Sequence, residues 1–200
     1  MKYNLISIII PVYNEAATIK TIVEKVIISN TLKLNKEIII VNDGSTDETK
    51  EILNRQIVNI YKNIKLINHS KNRGKGSAVR TGLNIARGQI IIIQDADLEY
   101  DPNYYTELIE PIYQGHTKVV YGSRYLSYHY SKTAGLIYKI GGFCLTKLFN
   151  ILFFSKLTDL PTCYKVFDAN ILNQIELEAK GFEFCVEISA KLLRIGYSIK

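Results

Sequence analysis

Apolar residues in the first half of the chain fall in short, isoleucine-rich runs at 5–10, 37–41, 64–67 and 89–93. Runs without polar alternation suit strands covered on both faces of a parallel sheet. Between them the apolar spacing becomes that of a helix face. Ile19, Ile22, Val23, Val26 and Ile27 follow the first run, Ile52, Leu53 and Ile57 the second, and Ala78, Val79, Leu83 and Ala86 the third. Ser45 and Glu48 form an S-x-x-E capping box at the start of the second helix. The alternation predicts an α/β fold, a doubly wound, mostly parallel sheet flanked by helices. Further on, the pattern predicts a helix over 102–113, a strand over 118–121, a long amphipathic helix over 134–154, a helix over 182–194 and a strand beginning at Tyr197.

At 200 residues, 47% hydrophobic and 22% charged, the chain fits one domain over 1–200 and does not have the composition of a disordered segment. A net charge of +6 favours anionic partners, whether nucleotides, nucleic acid or an acidic membrane surface. Cys144, Cys163 and Cys185 lack CxxC spacing, so neither a zinc site nor a disulfide framework is indicated, and a reducing, cytoplasmic setting fits. The first residues do not read as a signal peptide. Lys139, Lys147 and Asn150 interrupt the apolar stretch at 134–154, which argues against a spanning helix.

In open α/β sheets ligands bind beyond the carboxyl ends of the strands. Three runs end in polar clusters there, at 11–15, 42–47 and 94–99. If residues 95–99 are extended, Asp95 and Asp97 point the same way with Glu99 in reach. Three converging carboxylates are costly without a cation, and hard oxygen ligands suit Mg²⁺ or Mn²⁺. The same residues could instead cap the helix near Pro102. Asp43-Gly44 is also a standard turn pair, and Tyr13 and Glu15 could be a strand-end aromatic and a first-turn carboxylate. The loop Asn72-Arg73-Gly74-Lys75-Gly76-Ser77 could offer N–H groups to an anion or be a solvated turn. It is not a Walker loop.

Taken in order, these motifs resemble the inverting glycosyltransferases of family 2, which have the GT-A fold. They are P-V-Y-N-E at 11–15, N-D-G-S-T-D at 42–47, N-R-G-K-G-x-A at 72–78 and D-A-D-L-E at 95–99. They continue as G-S-R-Y at 122–125, T-D-x-x-T-C-Y-K-x-F at 158–167 and G-F-E-F at 181–184. The later ones are most similar to dolichyl- or polyprenyl-phosphate sugar synthases. The resemblance implies transfer of a hexose, with inversion, from a GDP- or UDP-sugar to a polyprenyl phosphate, and no nucleic-acid partner. It implies that Pro11, Tyr13, Glu15, Val41 and Asp43 hold the nucleoside, and that Asp95, Ala96 and Asp97 face the ribose and diphosphate. Asp97 and Glu99, with Asp95, would hold the metal, and Arg124 would touch phosphate. Asp159 would lie near the acceptor as a base. A polyprenyl phosphate is already largely anionic near neutral pH, its second pKa being roughly 6, so Asp159 could instead orient the sugar or cap a helix.

A lipid-linked acceptor gives the 134–154 stretch a second reading. Leu136, Ile140, Phe143, Leu148, Ile151, Leu152 and Phe153, with Lys132, Lys139 and Lys147, suit a helix lying peripherally at a cytoplasmic membrane face. The same apolar face could pack on the core. The sequence departs from the family pattern at two points. The basic segment that usually follows the strand at Tyr197 is not in this sequence, which is expected to bear on catalysis; Asn42 in place of a commoner aspartate is a milder departure, since Asp43 keeps its position. The alternatives are therefore a catalytically inactive, membrane-associated nucleotide-binding module, or a family 2 transferase acting on a polysaccharide or other glycan. A nucleotidyltransferase would want a glycine-rich loop where Pro11 to Glu15 stand.

Overall fold

The structure, a computed structural model, describes residues 3–61, 63–126 and 136–200, with side chains in the long fifth helix described from Ile140 onward. Four strands, β1 (Leu5–Val12), β2 (Asn35–Asn42), β3 (Ile64–Asn68) and β4 (Ile90–Ile93), match the four isoleucine-rich runs. They alternate with α1 (Ile19–Ile28), α2 (Thr49–Ile52) and α3 (Lys75–Leu83). α2 is only four residues long and widens into a π-helical turn at Leu53–Val58, while Ala86 lies beyond the end of α3. The remaining elements are α4 (Tyr105–Tyr113), β5 (Val119–Tyr121), α5 (Leu136–Phe153), β6 (Lys165–Asp168), α6 (Ala169–Leu172) and α7 (Phe184–Arg194).

The six strands form one sheet in the order β3-β2-β1-β4-β6-β5. β1, β2, β3 and β4 pair in parallel, and β6 enters antiparallel between β4 and β5. Successive residues of each buried strand serve opposite faces. Ile8, Ile10, Ile38, Ile40, Ile90 and Ile92 belong to the layer shared with α1, α4 and α7. Ile9, Ile39, Val41 and Ile91 pack against Ala78 of α3 on the other face. Each such side chain taken from water contributes about 1.5–3 kcal/mol, which is why uninterrupted isoleucine is tolerated here and alternation is not required.

β6, with the short α6 after it, is not predicted by the hydrophobic pattern. Its first residue, Lys165, is fully buried, whereas sequence patterns place lysine at edges and surfaces. Its ammonium donates to the Leu160 carbonyl at 3.2 Å and sits 3.5 Å from the centre of the Tyr121 ring. At the other end Asp168 ties three elements together. It accepts from the Tyr3 hydroxyl at 2.8 Å, pairs with Lys118, and caps α6 through the Asn170 N–H at 3.1 Å. The strand expected at Tyr197 is reduced to one bridge at the outer edge of β5. There Lys200 donates to Val119 at 3.1 Å and accepts from Tyr121 at 2.9 Å.

The capping box at Ser45 and Glu48 does not form. Asp47 accepts from the Thr49 N–H at 3.0 Å, while the Ser45 hydroxyl accepts from the Asn14 N–H in the neighbouring loop. The start of the long amphipathic helix at Ala134, and Lys132 before it, lie outside the described residues.

Candidate active site

β1, β2 and β4 are adjacent and parallel, so their carboxyl ends deliver the loops after Val12, Asn42 and Ile93 to one edge of the sheet. The first two loops are stitched together. The Asn14 side chain accepts from Thr46 N–H at 2.8 Å, Thr49 Oγ1 accepts from Glu15 N–H at 2.8 Å, and Asp47 accepts from Ala16 N–H at 3.2 Å. Asn14 can make these contacts because its φ is +55°, a conformation asparagine tolerates better than most residues. Asn42 accepts from the Ser45 N–H and donates to Asn68, so an amide serves at this position as a turn former.

The third loop is closed by Gln94, which is fully buried. Its amide donates to the carbonyls of Asp95 and Tyr100 and its oxygen accepts from the Tyr105 hydroxyl. Leu98 has φ +65°, and Asp97 accepts from the Glu99 N–H at 2.9 Å. The segment is therefore a turn, and the extended geometry that would bring three carboxylates together is not adopted. Among the described residues no three acidic, histidine or cysteine side chains converge as a complete metal-binding group. The cap of the following helix is Asp101, which accepts from Asn103 N–H, so none of Asp95, Asp97 and Glu99 is spent on that task.

Each of the three carboxylates has its own surroundings. Asp95 is 2.5 Å from the Lys75 ammonium, yet its Oδ1 is buried without an aligned hydrogen-bond donor. It is Oδ1 itself that faces the ammonium, so Lys75 already neutralises part of the Asp95 charge. Burial works against the Lys75 charge, but the Asp95 carboxylate outweighs it and holds the ammonium protonated. Asp97 is solvent-accessible but set in a concave wall. Desolvation and then the Asp95 charge raise its pKa above the usual aspartate value. Burial also raises Glu99, against the pull of Arg124 at 3.5 Å. Carboxylates pushed toward the neutral form by burial and then by neighbouring carboxylates are those a divalent ion would relieve, so the residues fit a cation held by few protein ligands.

Pro11, Tyr13, Glu15, Asp43, Asp95, Ala96, Asp97, Glu99 and Arg124 all line one cleft of about 800 Å³. Lys75, Tyr100, Leu145, Pro161 and Phe182 line it too. Lys75 was visible only as a member of the N-R-G-K-G motif, and nothing local in the sequence pairs it with Asp95. Asp43 has a structural task besides. Its carboxylate accepts from Arg73 N–H and Gly74 N–H and lies 2.6 Å from His69 Nδ1. The Ser77 N–H goes to the Lys180 carbonyl. In the glycine-rich loop, then, these three amides serve the protein's own groups and not a free anion. Gly74 is required there: its φ is +92°, and a Cβ would lie 2.4 Å from the Lys180 oxygen.

Two residues implicated by resemblance stand elsewhere. Val41 is fully buried in the α3-facing layer, and its side chain does not line the cleft. Asp159 is buried behind Arg124, accepting from Nε at 2.8 Å, from Nη2 at 2.9 Å and from the backbone N–H at 3.1 Å. Both of its oxygens face the guanidinium fork, which leaves it placed to orient Arg124 and poorly placed to take a proton from an acceptor.

Sheet order, the strand-end cleft and its acidic turn are those of the GT-A fold. The chain belongs to glycosyl transferase family 2, whose family model matches residues 7–175. It is 31% identical over 196 residues to a dolichol-phosphate mannosyltransferase of Pyrococcus furiosus, covering 93% of this chain and 52% of that protein. It is 25% identical over 180 residues to a dodecaprenyl-phosphate galacturonate synthase of Rhizobium johnstonii, covering 90% of this chain and 52% of that one. The chain thus spans about half the length of these curated relatives. Among solved structures, glucosyl-3-phosphoglycerate synthase from Mycobacterium tuberculosis superposes with a TM-score of 0.74 at 18% identity, covering 98% of this chain and 68% of that one. A Pyrobaculum calidifontis mannosyltransferase in complex with GDP-Man and Mn²⁺ gives 0.65 at 19% identity, covering 97% and 53%.

Proposed function

We propose that this chain carries the donor site of a transferase that moves a hexose from a GDP- or UDP-sugar to a polyprenyl phosphate, inverting the anomeric carbon. The observation that carries the reading is continuity between the acidic cleft and an apolar surface. Leu145 of α5 lines the cleft, while Ile140, Phe143, Leu148, Ile151 and Leu152 of the same helix are exposed. A lipid-borne phosphate needs both, an aqueous cleft for its head and an apolar apron for its tail. No helix among the described residues is long and apolar enough to cross a membrane. Peripheral contact at a cytoplasmic membrane face is the mode this helix suits.

On the donor side, Tyr13 and Glu15 border the space for the nucleoside, with Asp43 fixing the loop behind it. Asp97, with Asp95 and Glu99 beside it, would hold Mg²⁺ or Mn²⁺ against the diphosphate, and that ion would stabilise charge on the leaving group. Arg124 presents its remaining donors toward the same cleft, held in orientation by Asp159. The acceptor phosphate needs little deprotonation near neutral pH, so its own oxygen attacks and Asp159 acts as a positioning residue.

The test is incubation of the protein with GDP-mannose, UDP-glucose or UDP-N-acetylglucosamine, Mn²⁺ and polyprenyl phosphate in vesicles. A lipid-linked hexose of inverted configuration is expected with one donor. Nucleotide binding by calorimetry without lipid-linked product would instead favour the non-catalytic binding module. Asp97→Ala is expected to abolish the Mn²⁺-dependent part of nucleotide binding, and unchanged affinity would remove Asp97 from the site.

A further inference from the structure

Cys163 and Cys185 come from segments with no sequence motif for pairing, yet their sulfurs lie 3.7 Å apart in the interior. Cys163 precedes β6 and Cys185 is in the first turn of α7, and the Cys185 sulfur also lies 3.6 Å from the Thr162 carbonyl. Two walls of the donor cleft therefore meet at this sulfur pair. Cys163 lines the cleft and is 5% exposed, so a small oxidant entering the cleft reaches it, while Cys185 sits directly behind.

We propose that Cys163 and Cys185 are an oxidisable dithiol built into the cleft wall, which hydrogen peroxide converts to a disulfide that reversibly impairs the donor site. One sulfur of the pair, as thiolate, attacks a peroxide oxygen; an S–O bond forms, the O–O bond breaks, and the departing hydroxide takes up a proton to become water. The second thiol attacks the sulfenic sulfur, an S–S bond forms, the S–O bond breaks, and a second water leaves with that thiol's proton. Two sulfurs lose two electrons and one peroxide gains them.

The surroundings bias the two sulfurs differently. Two ammonium groups, Lys75 and Lys165, act on the pair electrostatically, and the Cys163 thiol hydrogen-bonds to Cys185. Together these lower the Cys185 pKa, with the Cys163 hydrogen bond the largest cause, while Cys163 is raised. Peroxide meets Cys163 first, on the cleft wall, and Cys185 behind it is the resolving thiol. To bond, the sulfurs must close by roughly 1.7 Å, which shifts the Pro161–Cys163 wall relative to the turn that carries Phe182. Misplacement by about 1 Å at a reacting site costs on the order of 100-fold in rate.

The consequence for the donor rests on the proposed function, but the disulfide itself does not, and two readouts separate them. Cys144 is exposed on α5, so the experiment uses Cys144→Ser, which leaves the cleft untouched. This variant is treated with hydrogen peroxide, and peptides are mapped without reduction. A Cys163–Cys185 cross-link, loss of both free thiols, and nucleotide binding weakened about tenfold and restored by dithiothreitol are the expected results. No buried cysteine is altered in this arm, so folding is not in question. Both thiols remaining free, or sulfinic acids forming without a link, would overturn the dithiol. A clean cross-link with unchanged nucleotide affinity and hexose transfer would overturn its effect on the cleft. The Cys185→Ala variant, checked for folding by its melting curve, is expected to lose the reversible inhibition.

Discussion

Lys75, in the first turn of α3, and Asp95, just past β4, meet at 2.5 Å with side chains only 13% and 9% exposed. Removing one partner of a buried pair strands the other charge, at a cost of about 3 kcal/mol. Lys75→Met is therefore expected to lower the melting temperature by roughly 6–12 °C for a chain of this size. Lys75→Met with Asp95→Asn is expected to recover most of that loss. Circular dichroism melts compare the two, and equal destabilisation in single and double variants would contradict the pairing.

Arg124 and Asp159 form a bidentate pair, and the burial of Asp159 makes it a support for Arg124. Asp159→Asn keeps the shape but removes the charge that fixes the guanidinium. Transfer by this variant is expected to slow on the order of 100-fold while the shape of its pH–rate profile stays that of the parent. A lost acidic limb in that profile would instead mark Asp159 as the base. Arg124→Lys is expected to be no substitute, because an ammonium cannot engage both Asp159 oxygens and Glu99 in the same plane.

Glu37 starts the buried part of β2, accepting from Ser7, Lys65 and both the backbone and side chain of Arg87. Burial alone would raise its pKa. The hydrogen bonds from Lys65, Ser7 and Arg87 outweigh it and bring the carboxyl from 4.5 down to about 2. A folded-state pKa below the unfolded one stabilises the fold above pH 4.5, and that stability is lost as pH falls from 4.5 toward 2. With Lys65 and Arg87 largely solvated, the contribution is about 1–2 kcal/mol. Glu37→Gln is expected to flatten the acid limb of a denaturation series over that interval, and an unchanged limb would count against it.

α5 exposes Leu148 at 56% and Ile151 at 71% while Phe149 is buried. Replacing Leu148 and Ile151 together by Glu leaves the buried edge intact and makes the outer face acidic. Sedimentation with anionic vesicles is expected to show at least about tenfold weaker binding, with calorimetric nucleotide affinity unchanged. Equal vesicle binding by the parent and the double variant would mean that this face does not meet the membrane.

How much of this was legible in the sequence can be said residue by residue. The isoleucine runs specified β1 to β4, because a strand buried on both faces leaves a local, uninterrupted apolar signature. The strand-end clusters located Tyr13, Asp43, Asp95, Asp97 and Glu99 at one edge of the sheet, because parallel topology brings carboxyl ends together. The motif order was enough to suggest the family.

Tertiary structure alone decided the rest. β6 was hidden because a lysine at its first position reads locally as a surface residue; in the fold Lys165 is buried, and the Tyr121 ring and the Leu160 carbonyl receive its charge. Residues 95–99 read as extended in sequence, but the positive φ of Leu98 makes a turn there, a backbone choice that apolar spacing does not encode. The partners that set each charge lie far along the chain, Arg124 and Asp159 being 35 positions apart and the paired cysteines 22. Local sequence determines which surfaces must be buried. Which charge or sulfur meets which is settled only when those buried surfaces pack, since such contacts depend on distances of a few ångströms across elements that folding brings together.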